Sequence, residues 1–121
     1  MEMVNHRQNL SDRTKQFALR VLKLADALPH GIAGQTIANQ IARSACSVAA
    51  NYRASQRARS KAEFIAKLSI VHEEADETLF WIEMIEEAGL LPPERLLSLK
   101  NESNEIVAIL VTSLKSAKSN P

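Results

Sequence analysis

QIARSACSVAANYRASQRARSKAEFIAKLSIVHEEADETLFWIEMIEE, running from Gln40 to Glu87, decides the fold. It joins a small-residue helix to a basic hinge and then to a long helix. In the long helix Phe64, Leu68, Val71, Ala75, Thr78, Ile82 and Ile85 alternate steps of four and three, the period of a left-handed bundle seam. Ser60-Lys61-Ala62-Glu63 is a capping box that starts this helix, and Gly89 is its C-terminal stop. The span between them, about 27 residues or about 40 Å at the helical rise, sets the long axis of the molecule.

On the N-terminal side of the hinge, Ile37, Ile41, Ala45, Val48 and Tyr52 make one helical face, flanked by Ala38, Ala42, Ala49 and Ala50. Side chains this small let a neighbouring helix approach closely. Farther upstream, Ser11 is a plausible N-cap, and Phe17, Val21, Leu24, Ala25 and Leu28 recur at helical spacing. Pro29, Gly31 and Gly34 mark a short connection back. Downstream, Leu90-Leu91-Pro92-Pro93 is a tight break before a stripe of Leu96, Leu99, Ile106, Leu110 and Leu114. The pattern predicts an all-α, antiparallel up-down-up-down four-helix bundle with helices over about 11–28, 35–57, 61–88 and 93–116. Residues 1–121 form a single domain in this reading, with 1–10 and 117–121 frayed.

Only five of the 121 residues are aromatic, so the core is built from Ala, Leu, Ile and Val. No apolar run approaches a membrane span and the N-terminus lacks a hydrophobic signal core, so a soluble, cytoplasmic protein is the expectation. A single cysteine, Cys46, excludes an internal disulfide, suits a reducing compartment and reads as a small buried residue.

Net charge is +1 but unevenly spread: through Lys67 the balance is +7, with Glu2, Asp12, Asp26 and Glu63 the acids, and beyond it −6. Whether this sequence dipole persists in space depends on how the helices pack.

Motifs for catalysis are absent: no Gly-rich phosphate loop, serine elbow, HExxH or Cys–His pairing. The run His72-Glu73-Glu74-Ala75-Asp76-Glu77 places imidazole and carboxylate on one helical face. It lacks the Glu-x-x-His pairs and inward glutamates that a di-iron bundle requires, so it reads as a solvated acidic face that pairs with a basic neighbour. No enzyme activity, metal or cofactor is expected.

Two sets of residues remain after the core is filled. Arg53, Arg57, Arg59, Lys61 and Lys67 surround the hinge, with Arg43 farther up the second helix. They are candidates for contact with the phosphates of RNA or DNA, or alternatively for pairing with acids of this or a neighbouring subunit. Leu19 and Leu22 on the first helix and Leu97, Val107 and Val111 on the fourth exceed what one core needs and point to a homo-oligomer interface. Trp81 lies off the main seam beside Phe80 and Met84, where it reads either as core periphery or, the favoured alternative, as an anchor of the same interface. Tyr52 packs its ring in the core with its hydroxyl turned outward.

The segments Gln40-Ile41-Ala42-Arg43-Ser44-Ala45, Ser47-Val48-Ala49-Ala50-Asn51-Tyr52-Arg53, Ala58-Arg59-Ser60-Lys61, Phe64-Ile65, Lys67-Leu68 and Glu74-Ala75-Asp76-Glu77-Thr78 followed by Trp81 together resemble the bacterial four-helix bundle family whose members were first noticed as products of intervening sequences in 23S ribosomal RNA genes. The resemblance implies an antiparallel bundle that assembles as a homopentamer and has no assigned enzymatic activity. The family is related to the accessory variability protein of diversity-generating retroelements, which works with a reverse transcriptase through a basic, nucleic-acid-binding surface. The resemblance marks Arg43, Asn51, Arg53 and the Arg59-Ser60-Lys61 turn as matching positions. Taken together with the local +5 charge balance from Gln35 to Lys67, it leads to the expectation of a non-enzymatic, oligomeric accessory protein that binds nucleic acid through the basic hinge, with a partner such as a reverse transcriptase. A protein-interaction scaffold whose charges serve self-assembly is the alternative.

Overall fold

The computed structural model describes residues 6–120 as four α-helices, α1 (His6–Ala27), α2 (Ile32–Gln56), α3 (Lys61–Glu87) and α4 (Pro93–Ser119). Each helix packs on its sequence neighbour, and α4 returns to α1 through the sparsest of the four seams. This is the expected up-down-up-down bundle.

The predicted stripes are the core. Val21, Ile41, Val48, Val71, Ile82, Ile85 and Leu110 are fully buried, and Phe17, Leu68, Leu96 and Ile106 nearly so. Thr78 of the heptad seam is buried too, with a hydroxyl to satisfy. Its Oγ1 donates to the Glu74 carbonyl at 2.8 Å and lies 2.8 Å from Ser44 Oγ on α2. Ser44 lies 3.3 Å from the carbonyl of Ile41, so each buried hydroxyl has a backbone acceptor within its own helix.

Gly89, at φ +69°, stops α3. Leu90 N–H reaches the Ile85 carbonyl at 3.0 Å and Gly89 N–H that of Glu86 at 3.1 Å, the paired bonds of a Schellman motif. Pro92 then caps α4, with Pro93 in its first turn.

Three boundaries differ from the sequence reading. Ser11 is not a cap: α1 already runs from His6, Thr14 Oγ1 donates to the Ser11 carbonyl inside the helix, and Leu10 is a core residue. The helix thus begins five residues before the expected start, while residues 1–5 lie outside the described part. Similarly, α4 continues through Ser119 rather than stopping near 116, and the half-buried Ala117 lines a cleft at that end; Pro121 lies outside the described part.

At the third boundary, α2 begins at Ile32 with Gly31 as its cap, so Gly34 lies inside the helix. A Cβ at Gly34 would fall 1.8 Å from the Pro29 carbonyl oxygen. Glycine at this position lets the α1–α2 turn fold onto the first turn of α2. A close backbone approach, rather than a turn conformation, is the reason for the glycine.

Candidate nucleic-acid interface

α2 ends at Gln56, and Arg57 N–H bonds the Ala54 carbonyl at 3.0 Å as the chain leaves the helix. Ser60 then adopts an extended backbone and accepts Glu63 N–H on its hydroxyl at 3.1 Å, while the Glu63 carboxylate accepts Arg59 N–H at 2.8 Å. This is the expected capping box, shifted so that the glutamate holds the residue before the cap. The only acid of the hinge is thereby tied to backbone, and it does not neutralise any guanidinium.

Arg53, Arg57, Arg59 and Lys61 are exposed and Lys67 is half-buried. None of the five side chains makes an ion pair among the described residues. The bundle topology adds to them: the antiparallel course of α4 returns the exposed Lys115 and Lys118 to the same end. Asp26, Glu83, Glu86, Glu87 and Glu94 gather at the other end, where Lys100 donates to Glu86 at 3.0 Å and is held above the usual lysine range mainly by that bond. The sequence dipole thus survives folding as a basic and an acidic end.

Arg43 stands apart from this group. It lies mid-helix, with Nη1 3.1 Å from Glu74 Oε1 and Nη2 2.6 Å from Glu77 Oε2 across the α2–α3 seam. The bond to Glu77 is the main cause of an Arg43 pKa above the usual arginine value. Glu77 also accepts Trp81 Nε1–H at 3.1 Å, and these two hydrogen bonds, Arg43 first, hold its carboxyl below the usual range. The acidic run of α3 therefore pairs with a basic neighbour, as its pattern suggests. No group of three or more His, Cys, Asp or Glu is arranged to hold a metal among the described residues.

Of the expected interface residues, Leu19, Leu22, Leu97 and Val111 are exposed, Leu97 at 60%. Val107 and Trp81 are different: both are partly buried and pack against the core. Trp81 is half-buried and edge-on to the exposed ring of Phe80, with 4.9 Å between centroids. Cys46 is exposed rather than buried, because it points away from the face that carries Ile41, Ala45 and Val48. No helix among the described residues is long and apolar enough to cross a membrane.

Sequence reasoning passed over a cleft of about 750 Å³ that opens at the basic end and is lined by Leu10, Tyr52, Gln56, Phe64, Leu68 and Ile109, among others. Gln56 was the residue to find. It follows Tyr52 by four positions, and that spacing carries it along the inward face to the end of the bundle.

Fold and site define an all-α four-helix bundle with one strongly basic end. The chain belongs to the 23S rRNA-intervening sequence protein family, whose model matches residues 7–112. A crystal structure from Bacteroides thetaiotaomicron, described as a protein with unknown function from the S23 ribosomal protein family, is 34% identical and superposes with a TM-score of 0.81. The match covers 88% of this chain and 98% of that one. No curated protein matches the chain.

Proposed function

We propose that this protein is a non-enzymatic, oligomeric helical bundle that binds RNA or DNA through its basic end, as a cytoplasmic accessory to a partner protein such as a reverse transcriptase. One observation supports this most. Arg13, Arg43 and Lys100 each have an acidic partner, whereas Arg53, Arg57, Arg59, Lys61 and Lys67 have none among the described residues. Cations left clustered and solvated are what a phosphate backbone engages. The family's description refers to an intervening sequence of 23S rRNA, so structured RNA is the first ligand to test.

Salt titration of binding is the test. If these five cations each neutralise a phosphate, log K falls against log salt with a slope of roughly −4 to −5. Neutralising Arg53 and Arg57 together makes the slope shallower by about 2. Binding that is absent at low ionic strength, or that ignores salt, overturns the proposal.

The second reading is a self-assembling scaffold, and the exposed apolar side chains of Leu19, Leu22, Leu97 and Val111 favour it. Covered by copies of the chain, these residues would support a closed homo-oligomer, a pentamer by family resemblance. If the basic end serves assembly, charge reversal at Arg53 and Arg57 dissociates that oligomer. If it serves nucleic acid, the oligomer persists and binding is lost. Mass measured in solution separates the two.

A further inference from the structure

We propose that the cleft at the basic end receives the base of an unpaired nucleotide, so that the protein selects single-stranded or looped nucleic acid over continuous duplex. The inference rests on the nucleic-acid reading above and specifies its ligand.

The first support is the chemistry of Gln56. Ser55 Oγ donates its one hydrogen to the Tyr52 carbonyl at 2.6 Å, so it serves only as an acceptor toward Gln56. The Gln56 amide nitrogen occupies that acceptor at 3.2 Å. This pairing fixes the orientation of the amide, and its carbonyl oxygen Oε1 faces away, buried and without a hydrogen-bond partner among the described residues. A buried acceptor without a donor is an unfavourable arrangement that a bound N–H group relieves.

The second support is the surrounding wall. Leu10, Phe64, Leu68 and Ile109 make the cleft largely apolar, and Phe64 is a half-buried aromatic ring. Its volume of about 750 Å³ lies within the size range of small-molecule sites.

Placement of charge is the third. Arg53 on α2 and Arg57 just beyond its end flank Gln56, three positions before it and one after. Lys61 precedes Phe64 and Leu68 by three and seven positions, on the same face of α3. A ligand that is apolar and flat, carries an N–H donor and is tethered to a phosphate meets all three conditions. A fatty acid or other carboxylate amphiphile supplies no donor for Oε1.

Each nucleobase carries at least one N–H donor on its Watson–Crick edge: the amino group of adenine or cytosine, the imino and amino groups of guanine, the imino group of uracil or thymine. In a duplex that edge is occupied by the pairing partner. One glutamine oxygen in an apolar cleft therefore accepts any unpaired base and rejects a paired one, with little sequence preference.

The test compares the affinity of the purified full-length protein for two labelled RNAs with equal numbers of phosphates, one a hairpin with an unpaired loop and one fully paired, by fluorescence anisotropy at fixed salt. The loop RNA is expected to bind about tenfold more tightly, the size of one base contact. Abasic nucleotides in the loop, or the Gln56→Leu variant, should remove most of that advantage and leave the affinity for paired RNA unchanged. Phe64→Leu, which keeps an apolar side chain at the wall, should also reduce it, and thermal melting of both variants checks that they fold. Equal affinity for the two RNAs, or an advantage that survives both the abasic loop and Gln56→Leu in folded protein, overturns the inference while leaving the basic end as a phosphate-binding surface. Absence of salt-dependent binding to either RNA overturns the underlying nucleic-acid reading as well.

Discussion

Arg43 reaches across the α2–α3 seam to Glu77, with Nη2 2.6 Å from Oε2. The contact separates one arginine from the other basic residues around the hinge, because its guanidinium is shared between Glu74 and Glu77 while those of Arg53, Arg57 and Arg59 face solvent. Arg43→Met is accordingly expected to leave RNA affinity within about twofold, whereas removal of one phosphate-binding cation costs a measurable part of the salt slope. An equal loss from Arg43→Met and Arg57→Met would place Arg43 in the binding surface.

The same pair makes a prediction about pH. Glu77 is held below its ordinary value of 4.5 by Arg43 first and Trp81 second. A carboxyl depressed in the folded state adds stability that is fully present above its unfolded pKa and disappears as pH falls through the folded one. Both side chains are substantially solvated, so Arg43→Met should cost only about 0.5 kcal/mol at neutral pH. Denaturant unfolding should show that difference at neutral pH and none in acid below both pKa values. A difference that persists in acid would assign it to packing.

Replacing Gly34 reverses the usual sign of a helix substitution. Glycine to alanine inside a helix ordinarily gains about 1 kcal/mol. Here the new methyl would meet the Pro29 carbonyl, and backbone cannot turn aside as a flexible side chain can. Gly34→Ala should therefore destabilise by about 2 kcal/mol and lower Tm by several degrees. Unchanged or raised Tm would show that the α1–α2 turn yields easily.

Ser44 and Thr78 are expected to couple weakly despite their short contact. Each hydroxyl has a backbone acceptor in its own helix, so losing one leaves the other satisfied. A double-mutant cycle with Ser44→Ala and Thr78→Val should give an interaction energy below about 1 kcal/mol. Larger coupling would mean that the hydroxyl pair fixes the register of α2 on α3.

Arg13 ties the sparsest seam. It forks onto Glu102 with bonds of 3.0 and 2.8 Å and reaches Glu105 at 2.9 Å, and the Glu102 bond is the main cause of its raised pKa. Arg13→Met should cost about 1 kcal/mol and speed hydrogen exchange in the N-terminal half of α1 before it affects α2 or α3. Uniform acceleration across the bundle would indicate that α1 does not open independently.

Much of this architecture was legible because its signals are local. The steps from Phe64 to Ile85, the Ser60–Glu63 box and the Gly89 stop are all written within one helix or its ends. What escaped depends on residues far apart in the chain. Gly34 looks like a turn residue until Pro29 is seen against it, and Leu10 looks like part of a polar terminus until α2 and α4 enclose it. Residue type alone puts Cys46 inside, although its neighbour Ala45 already occupies the inward position. The partners of Arg43 lie 31 and 34 positions away, and no pattern in α2 identifies them. The basic hinge was legible as a cluster. Its lack of acidic partners, and the Gln56 oxygen beside it, arise only in the folded chain, where α1, α3 and α4 come to surround the end of α2.

The sparse return of α4 onto α1 has a kinetic consequence. Three of the four seams join helices that are adjacent in sequence, so three hairpins can form with short loop closures, and a low contact order favours rapid folding. The remaining seam joins residues such as Arg13 and Glu102, 89 positions apart. Its closure carries the largest entropic cost and gains the fewest contacts. The α1–α4 pairing should therefore form after the folding barrier, so that substitutions there change the unfolding rate and leave the folding rate nearly untouched.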